Sequence, residues 1–248
     1  MTEISISAEK VSFYYGRLKV IDDISLEIPK GISFGLLGSN GAGKTTFIRL
    51  MVGLLKPAEG KIIVSGKSPS PAMAKNIGYM PQMPSLYMEL TVRQNIDFFA
   101  RIYGLKEKNE RFQRVDEVIK LVELWPKRAT SITQLSGGMR QRVSLACAIV
   151  HKPAVLFLDE PTVELDPELR VHFWEYFASL TKGGTTLIIS SHTLDDAAHC
   201  QKLVFMREGK IIAMGTPDEL RAATGKPDAN LEDAFLYFIR HGEVKANV

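Results

Sequence analysis

Residues Gly38-Ser39-Asn40-Gly41-Ala42-Gly43-Lys44-Thr45 satisfy the pattern G-x-x-x-x-G-K-[ST] in full. Glycines at those spacings let successive backbone N–H groups turn inward around an anion, and a helix opening there adds positive potential. In such a loop Lys44 reaches the β- and γ-phosphates of a nucleotide, and the Thr45 hydroxyl ligates Mg²⁺. A second stretch, Ala154-Val155-Leu156-Phe157-Leu158-Asp159-Glu160, is an apolar run ending in two carboxylates. Asp159 is the better candidate for the metal side, and Glu160, next along, for polarising an attacking water. A third stretch, Leu135-Ser136-Gly137-Gly138-Met139-Arg140-Gln141-Arg142, puts a hydroxyl and free N–H groups at a helix start. Physics alone leaves two readings of it open: a second anion cradle, or a plain helix cap followed by a glycine hinge.

The elements that must position these residues follow from apolar spacing. Ile4–Val11 and Val20–Ile28 alternate like half-buried strands, with Gly16 and Arg17 in the turn between them. Gly31–Leu37 reads as a buried strand ending at the glycine loop, and Thr45–Leu55 as the helix it opens. Lys61–Val64, Ile77–Met80, Val155–Asp159, Thr185–Ser190 and Lys202–Arg207 are further strands. Between them, Thr91 and Gln94 make a capping box for a helix to about Tyr103. A second helix spans Asn109–Leu124, with Phe112, Val115, Val118, Ile119 and Val122 on one face. Pro167–Leu180, a start at Thr216-Pro217 and a short amphipathic C-terminal helix complete the pattern. Alternating strands and helices imply a mainly parallel sheet covered on both faces.

Composition excludes several classes. The chain has 248 residues, 45% hydrophobic and 24% charged, and a formal net charge of +3. That is ordinary for a globular protein, and it makes no electrostatic case for nucleic acid, which is not expected as a partner. No apolar run approaches the roughly 18 residues of a membrane span. The start, MTEISISAEK, does not read as a signal peptide. Cys147 and Cys200 make no metal spacing and are expected to be reduced, with Cys147 a small core residue. His151, His172, His199 and His241 are expected at the surface or in caps.

Taken together, the glycine loop, LSGGMRQR and the Asp-Glu strand resemble the ATP-binding cassette (ABC) ATPases, over about residues 3–220. The resemblance implies an α/β fold: a P-loop NTPase core, an N-terminal antiparallel β-subdomain and an inserted helical subdomain at about residues 88–150. The whole chain, 1–248, is then one nucleotide-binding domain with a short C-terminal helix at 231–240. It also implies roles for further residues. Tyr15 stacks on adenine, Gln82 links Mg²⁺ to the helical subdomain, and Asp166 lies in a loop facing the opposite subunit. His192 is a switch residue at the γ-phosphate, and Thr46, Ser136, Gly137, Gly138 and Gln141 join the nucleotide-contacting set. The catalytic group is Lys44, Gln82, Glu160 and His192, the metal ligands are Thr45, Gln82 and Asp159, and the cofactors are ATP and Mg²⁺. One departure is visible: Glu164 puts a negative charge where the family usually has alanine before Leu165-Asp166.

The family likeness implies the ATPase subunit of a membrane transporter, peripheral on the cytoplasmic face. Its expected partners are an integral membrane permease and a second copy of itself or a related cassette. NIGYMPQMPSLYMELTVRQNIDFF and LEDAFLYF look like the drug- and polysaccharide-exporter branch. The apolar segment Met80–Leu90 is expected to form the surface that meets the permease. The alternative is a soluble cassette ATPase without a membrane role, such as one serving an iron–sulfur assembly scaffold.

Overall fold

A computed structural model describes residues 3–163 and 165–241. The chain divides into two compact units, Met1–Pro71 with Trp174–Val248, and Ala72–Phe173. Among the described residues no helix is long and apolar enough to cross a membrane.

In the first unit, β1 (Ile4–Tyr15) and β2 (Leu18–Pro29) form an antiparallel hairpin, and β4 (Glu59–Val64) pairs with the other edge of β1. Both hairpin strands run further than the alternation suggests, because Gly16 with φ 59° turns the chain tightly and Tyr15 still pairs with Leu18. Strand β3 (Ser33–Leu37) is buried at every position and lies parallel to β7 (Thr186–Ser191) on one side and β8 (Lys202–Arg207) on the other. Such burial on both faces explains why these strands read as continuous apolar runs. Helix α1 (Lys44–Met51) leaves β3 through the glycine loop and is shorter than its apolar spacing suggests. Gly53, at φ 81°, closes it, with the Leu54 amide donating back to the Arg49 carbonyl at 2.9 Å.

Strand β9 (Lys210–Gly215), antiparallel to β8, has no counterpart in the apolar reading. Its turn, Glu208-Gly209, takes positive φ at both positions, as a two-residue hairpin requires. Helices α6 (Leu194–Ala198), α7 (Pro217–Ala222) and α8 (Leu231–His241) complete this unit. In α7 the Thr216–Glu219 capping box with Pro217 at the first position forms as expected.

The second unit holds the parallel pair β5 (Ile77–Met80) and β6 (Val155–Asp159), with α2 (Val92–Ile102), α3 (Lys108–Leu121) and α4 (Gly137–Ile149). Helix α5 (Pro167–Lys182) begins here and ends in the first unit. The Thr91–Gln94 capping box opens α2. Val115, Val118, Ile119 and Val122 are fully buried, whereas Phe112 stays half-buried beneath the cations of Arg93, Lys108 and Arg111. Arg111 ties α3 to α2: its guanidinium meets Asp97 at 2.7 Å and donates to the Leu105 and Lys106 carbonyls. The Arg114 guanidinium donates to the Ile149 and Val150 carbonyls, capping the end of α4.

Cys147 and Cys200 are buried free thiols, and burial raises the pKa of both, that of Cys200 to about 12. Of the four histidines expected at the surface or in caps, His199 and His241 are exposed and His151 and His172 half-buried. His172 bonds the Leu121 carbonyl, His199 stacks on Trp174 and His241 bonds the Tyr237 carbonyl. His151 lies half-buried against the Tyr103 ring at 4.1 Å, with Nε2 3.1 Å from the Ile77 carbonyl. Desolvation there lowers its pKa to about 4.

The unfolded chain takes up this proton near pH 6.5 and the folded one only near pH 4, so stability is full above pH 6.5 and is lost on the way down to pH 4. The loss amounts to about 3 kcal/mol at most. Urea melts at pH 7.5 and pH 4.5 should show His151→Gln losing about 2 kcal/mol less on acidification than the parent. Equal losses would assign the acid sensitivity to other groups.

Candidate functional site

The first unit carries the glycine loop. Gly38 follows the end of β3, and a Cβ there would stand 2.4 Å from the Met206 carbonyl of β8, so only glycine lets the chain leave between these strands. Gly41 and Gly43 have φ of 82° and 103°, and Gly43 accepts the Phe47 amide at 2.8 Å to begin α1. The helix has neither a side-chain cap nor an acidic residue in its first turn, so its positive end is left for an external anion. Lys44 is buried, with Nζ donating to the Gly38 carbonyl at 2.7 Å and the Ser39 carbonyl at 3.2 Å. The ammonium thus spans the mouth of its own loop. Ser39, Asn40 and Gly41 are exposed, Thr45 is half-buried, and Ala42, Gly43 and Thr46 are buried.

Gly209, which the sequence reading passes over, braces this loop. Its N–H donates to the Ala42 carbonyl at 3.1 Å, and its carbonyl accepts the Asp22 amide at 2.9 Å. A Cβ at Gly209 would meet the Val20 carbonyl at 2.4 Å. The available signal was a Glu-Gly pair between two apolar runs. Also in this unit, Tyr15 is 45% exposed, with its ring edge-on to Phe13 at 4.9 Å. His192 is exposed just past the end of β7. Its loop is pinned by Ser191, whose hydroxyl donates to Asp196 at 3.0 Å and accepts the Thr193 amide.

The second unit carries the acidic strand end. Asp159 is fully buried at the end of β6, and Glu160 is 7% exposed in a left-handed backbone conformation, φ 54°. The Gln82 side-chain amide donates to the Glu160 carboxylate at 3.3 Å. Gln141 is buried, and its amide donates to the Glu160 backbone carbonyl at 3.4 Å. Ser136 caps α4 by accepting the Met139 amide at 3.3 Å, and both it and Gly137 are exposed, leaving this helix start open to solvent. Gly138 is half-buried in the first turn of α4. The Asp166 carboxylate accepts the Leu169 amide at 2.9 Å, which caps α5. Glu164, the departure from the family pattern, lies outside the described residues.

A groove of about 340 Å³ opens beside Glu160, lined among others by Gln82, Met83, Leu86, Met88 and Arg140. The apolar segment around it is not uniformly surface, which corrects the expectation for Met80–Leu90. Met80, the last residue of β5, is wholly buried, while Met83 is 82% and Tyr87 50% exposed. The Tyr87 ring stands edge-on to Phe98 of α2 at 4.6 Å. Its backbone is held by Asn95, fully buried, which accepts the Tyr87 amide and donates to the Tyr87, Leu90 and Thr91 carbonyls. Asn95 escaped the sequence reading; a polar residue on the buried face of α2 was its one signal.

The donors named for Mg²⁺ are the Thr45 hydroxyl in the first unit, and the Asp159 carboxylate and Gln82 amide oxygen in the second. All are hard oxygens, and one carboxylate with neutral oxygens suits a magnesium ion that also takes phosphate and water ligands. The residues present fit the ion.

Residues 21–163 match the family described as ABC transporter. The chain is 39% identical over 245 residues to the probable multidrug ABC transporter ATP-binding protein YbhF of Escherichia coli (strain K12), covering 96% of this chain and 42% of that protein. It is 38% identical over 229 residues to the daunorubicin resistance ATP-binding protein DrrA3 of Streptomyces coeruleorubidus, covering 91% and 72%. It therefore spans less than half the length of the first relative. A solved structure described as the ATP binding subunit of an ABC transporter superposes with a TM-score of 0.87 at 28% identity, covering 94% of this chain and 99% of that one. The fold is that of these cassettes: an α/β P-loop core with an antiparallel N-terminal sheet.

Gly38→Ala should displace the loop from the Met206 carbonyl and raise the dissociation constant for a fluorescent ATP analogue by about tenfold or more. Unchanged affinity in that titration would show that the close approach is not what shapes the cradle.

Proposed function

We propose that this chain, which belongs to the ABC transporter family, binds and hydrolyses ATP to drive a membrane transporter of the exporting kind. The observation that carries the reading is the pair Gln82–Glu160: a nearly buried carboxylate at a strand end, held at 3.3 Å by an amide from a loop, directly after buried Asp159. A carboxylate so placed has few uses in packing and a clear one in polarising water. The multidrug and drug-resistance names of the relatives favour an exporter over a soluble scaffold ATPase.

In this reading the glycine loop and the start of α1 bind the phosphates, and Lys44 exchanges its bonds to the Gly38 and Ser39 carbonyls for the β- and γ-phosphate oxygens. Tyr15 offers its ring to adenine, and His192 donates to the γ-phosphate. Glu160 accepts a proton from the attacking water, and Gln82 orients that carboxylate. Bound Mg²⁺ supplies charge neutralisation at the phosphates, with Thr45, Gln82 and Asp159 as its protein ligands. Two copies, or this chain and a related cassette, face head to tail, so that Ser136 and the Gly137 and Gly138 amides of one receive the γ-phosphate held by the other. Asp166 stands near that seam. The permease is a separate integral membrane protein, and the chain sits on the cytoplasmic face beside it. Exposed Met83 and Tyr87, next to the groove beside Glu160, form the contact surface; flexible thioethers and amphipathic rings suit such a partner.

Glu160→Gln keeps shape and hydrogen bonding but removes the base, so turnover should fall by roughly 10²-fold or more while ATP still binds and now holds a stable dimer. Near-normal hydrolysis by this variant would sink the role of Glu160. A separate variant tests the membrane reading. The Tyr87 ring is half-exposed and its backbone is held by Asn95, so Tyr87→Asp should fold and dimerise with ATP. It should, however, fail to co-purify with an integral membrane protein from its native membranes. Undiminished co-purification would remove this surface from the contact.

A further inference from the structure

Glu160 is held at both ends. Its carboxylate meets the Gln82 amide, and its backbone carbonyl meets the Gln141 amide, 94% removed from solvent within the LSGGMRQR helix. The backbone between those two holds is unusual. Glu160 is a non-glycine residue at φ 54°, a conformation that persists only where the surroundings impose it. The next residue is Pro161, which restricts Glu160 further and leaves their shared peptide without an N–H. The carbonyl is therefore the sole polar handle on that peptide plane, and it accepts both the Gln141 side-chain amide at 3.4 Å and the Val163 backbone amide, within the turn itself, at 3.5 Å. A buried glutamine amide must find partners, and the Glu160 carbonyl is the acceptor that the Gln141 amide nitrogen meets.

The geometry points to Gln141 as a positioning residue: it fixes the left-handed Glu160 peptide and so aims the Glu160 carboxylate. This assigns Gln141 to the catalytic carboxylate of its own chain rather than to a nucleotide contact, and it rests on the reading of Glu160 as the group that polarises water. Gln141 stands five residues after Ser136, which caps the same helix from its solvent-exposed end.

The test is a double-mutant cycle on the purified chain. Gln141→Met keeps length and burial but removes the donor, and should lower kcat by about tenfold or more, since small misplacements of a reacting group are costly. KM and the dissociation constant for a fluorescent ATP analogue should change by less than about twofold, because the phosphate loop is untouched. Gln141→Asn, whose amide is drawn back by one methylene, should fall between the two and serves if the methionine variant folds poorly. In the Glu160→Gln background, Gln141→Met should leave the residual turnover unchanged within about twofold, because the group it aims is gone. A folded Gln141→Met protein with parental kcat would overturn the inference, as would an equal fractional loss in both backgrounds. Normal turnover by Glu160→Gln alone would overturn the role of Glu160, and with it the role of Gln141.

Discussion

Complete burial of two short strands is the constraint on which the rest of the structure depends. Strands β3 and β6 are each buried at all five positions, and their polar side chains stand at the strand ends, Ser33 opening β3 and Asp159 closing β6. Their ends are the first places where chemistry is physically possible. At the end of β3 the backbone itself becomes polar, because glycines expose its N–H groups; at the end of β6 the side chains do, through Asp159 and Glu160.

The glycine loop is shaped by contact as much as by sequence. Gly38 passes the Met206 carbonyl and Gly209 passes the Val20 carbonyl, each with no room for a Cβ. Gly209 then bonds to Ala42 and to Asp22, so a turn between β8 and β9 steadies a loop more than 160 residues away in sequence. A buried ammonium needs partners, and Lys44 finds them in the loop carbonyls. These neutral acceptors are weaker than phosphate oxygens, and that difference favours binding an anion over leaving the loop as it stands.

In the helical unit, polar residues do the joining. Asn95 fastens the loop after β5 to α2, Arg111 fastens α3 to α2, and Arg114 closes the end of α4. Each is a directional contact that shape-tolerant apolar packing would not supply. Asn95 holds the backbone at Tyr87 while the Tyr87 and Met83 side chains stand exposed. Gln82 begins that loop, so the carboxylate contact and the exposed side chains share one short stretch of backbone.

Much of this was legible in the residues alone, because it depends on local chemistry. The glycine spacing before Lys44, the apolar run into Asp159-Glu160, and the capping boxes at Thr91 and Thr216 are decided by neighbours in sequence, and the elements formed where those signals stand. Strand β9, Asn95 and Gly209 were not legible, since their roles come from partners far along the chain: an edge pairing, a loop to be held, a carbonyl too close for a Cβ. For the helix start at Ser136 the sequence left a cap and an anion cradle equally open; the structure shows the cap formed and the same end exposed. Residue type and spacing determine which groups can do chemistry. Tertiary structure decided which way they face, that Met80 is core while Met83 is surface, and that Gln141 turns inward to the Glu160 carbonyl, because burial and hydrogen-bond partners are settled only when distant segments meet.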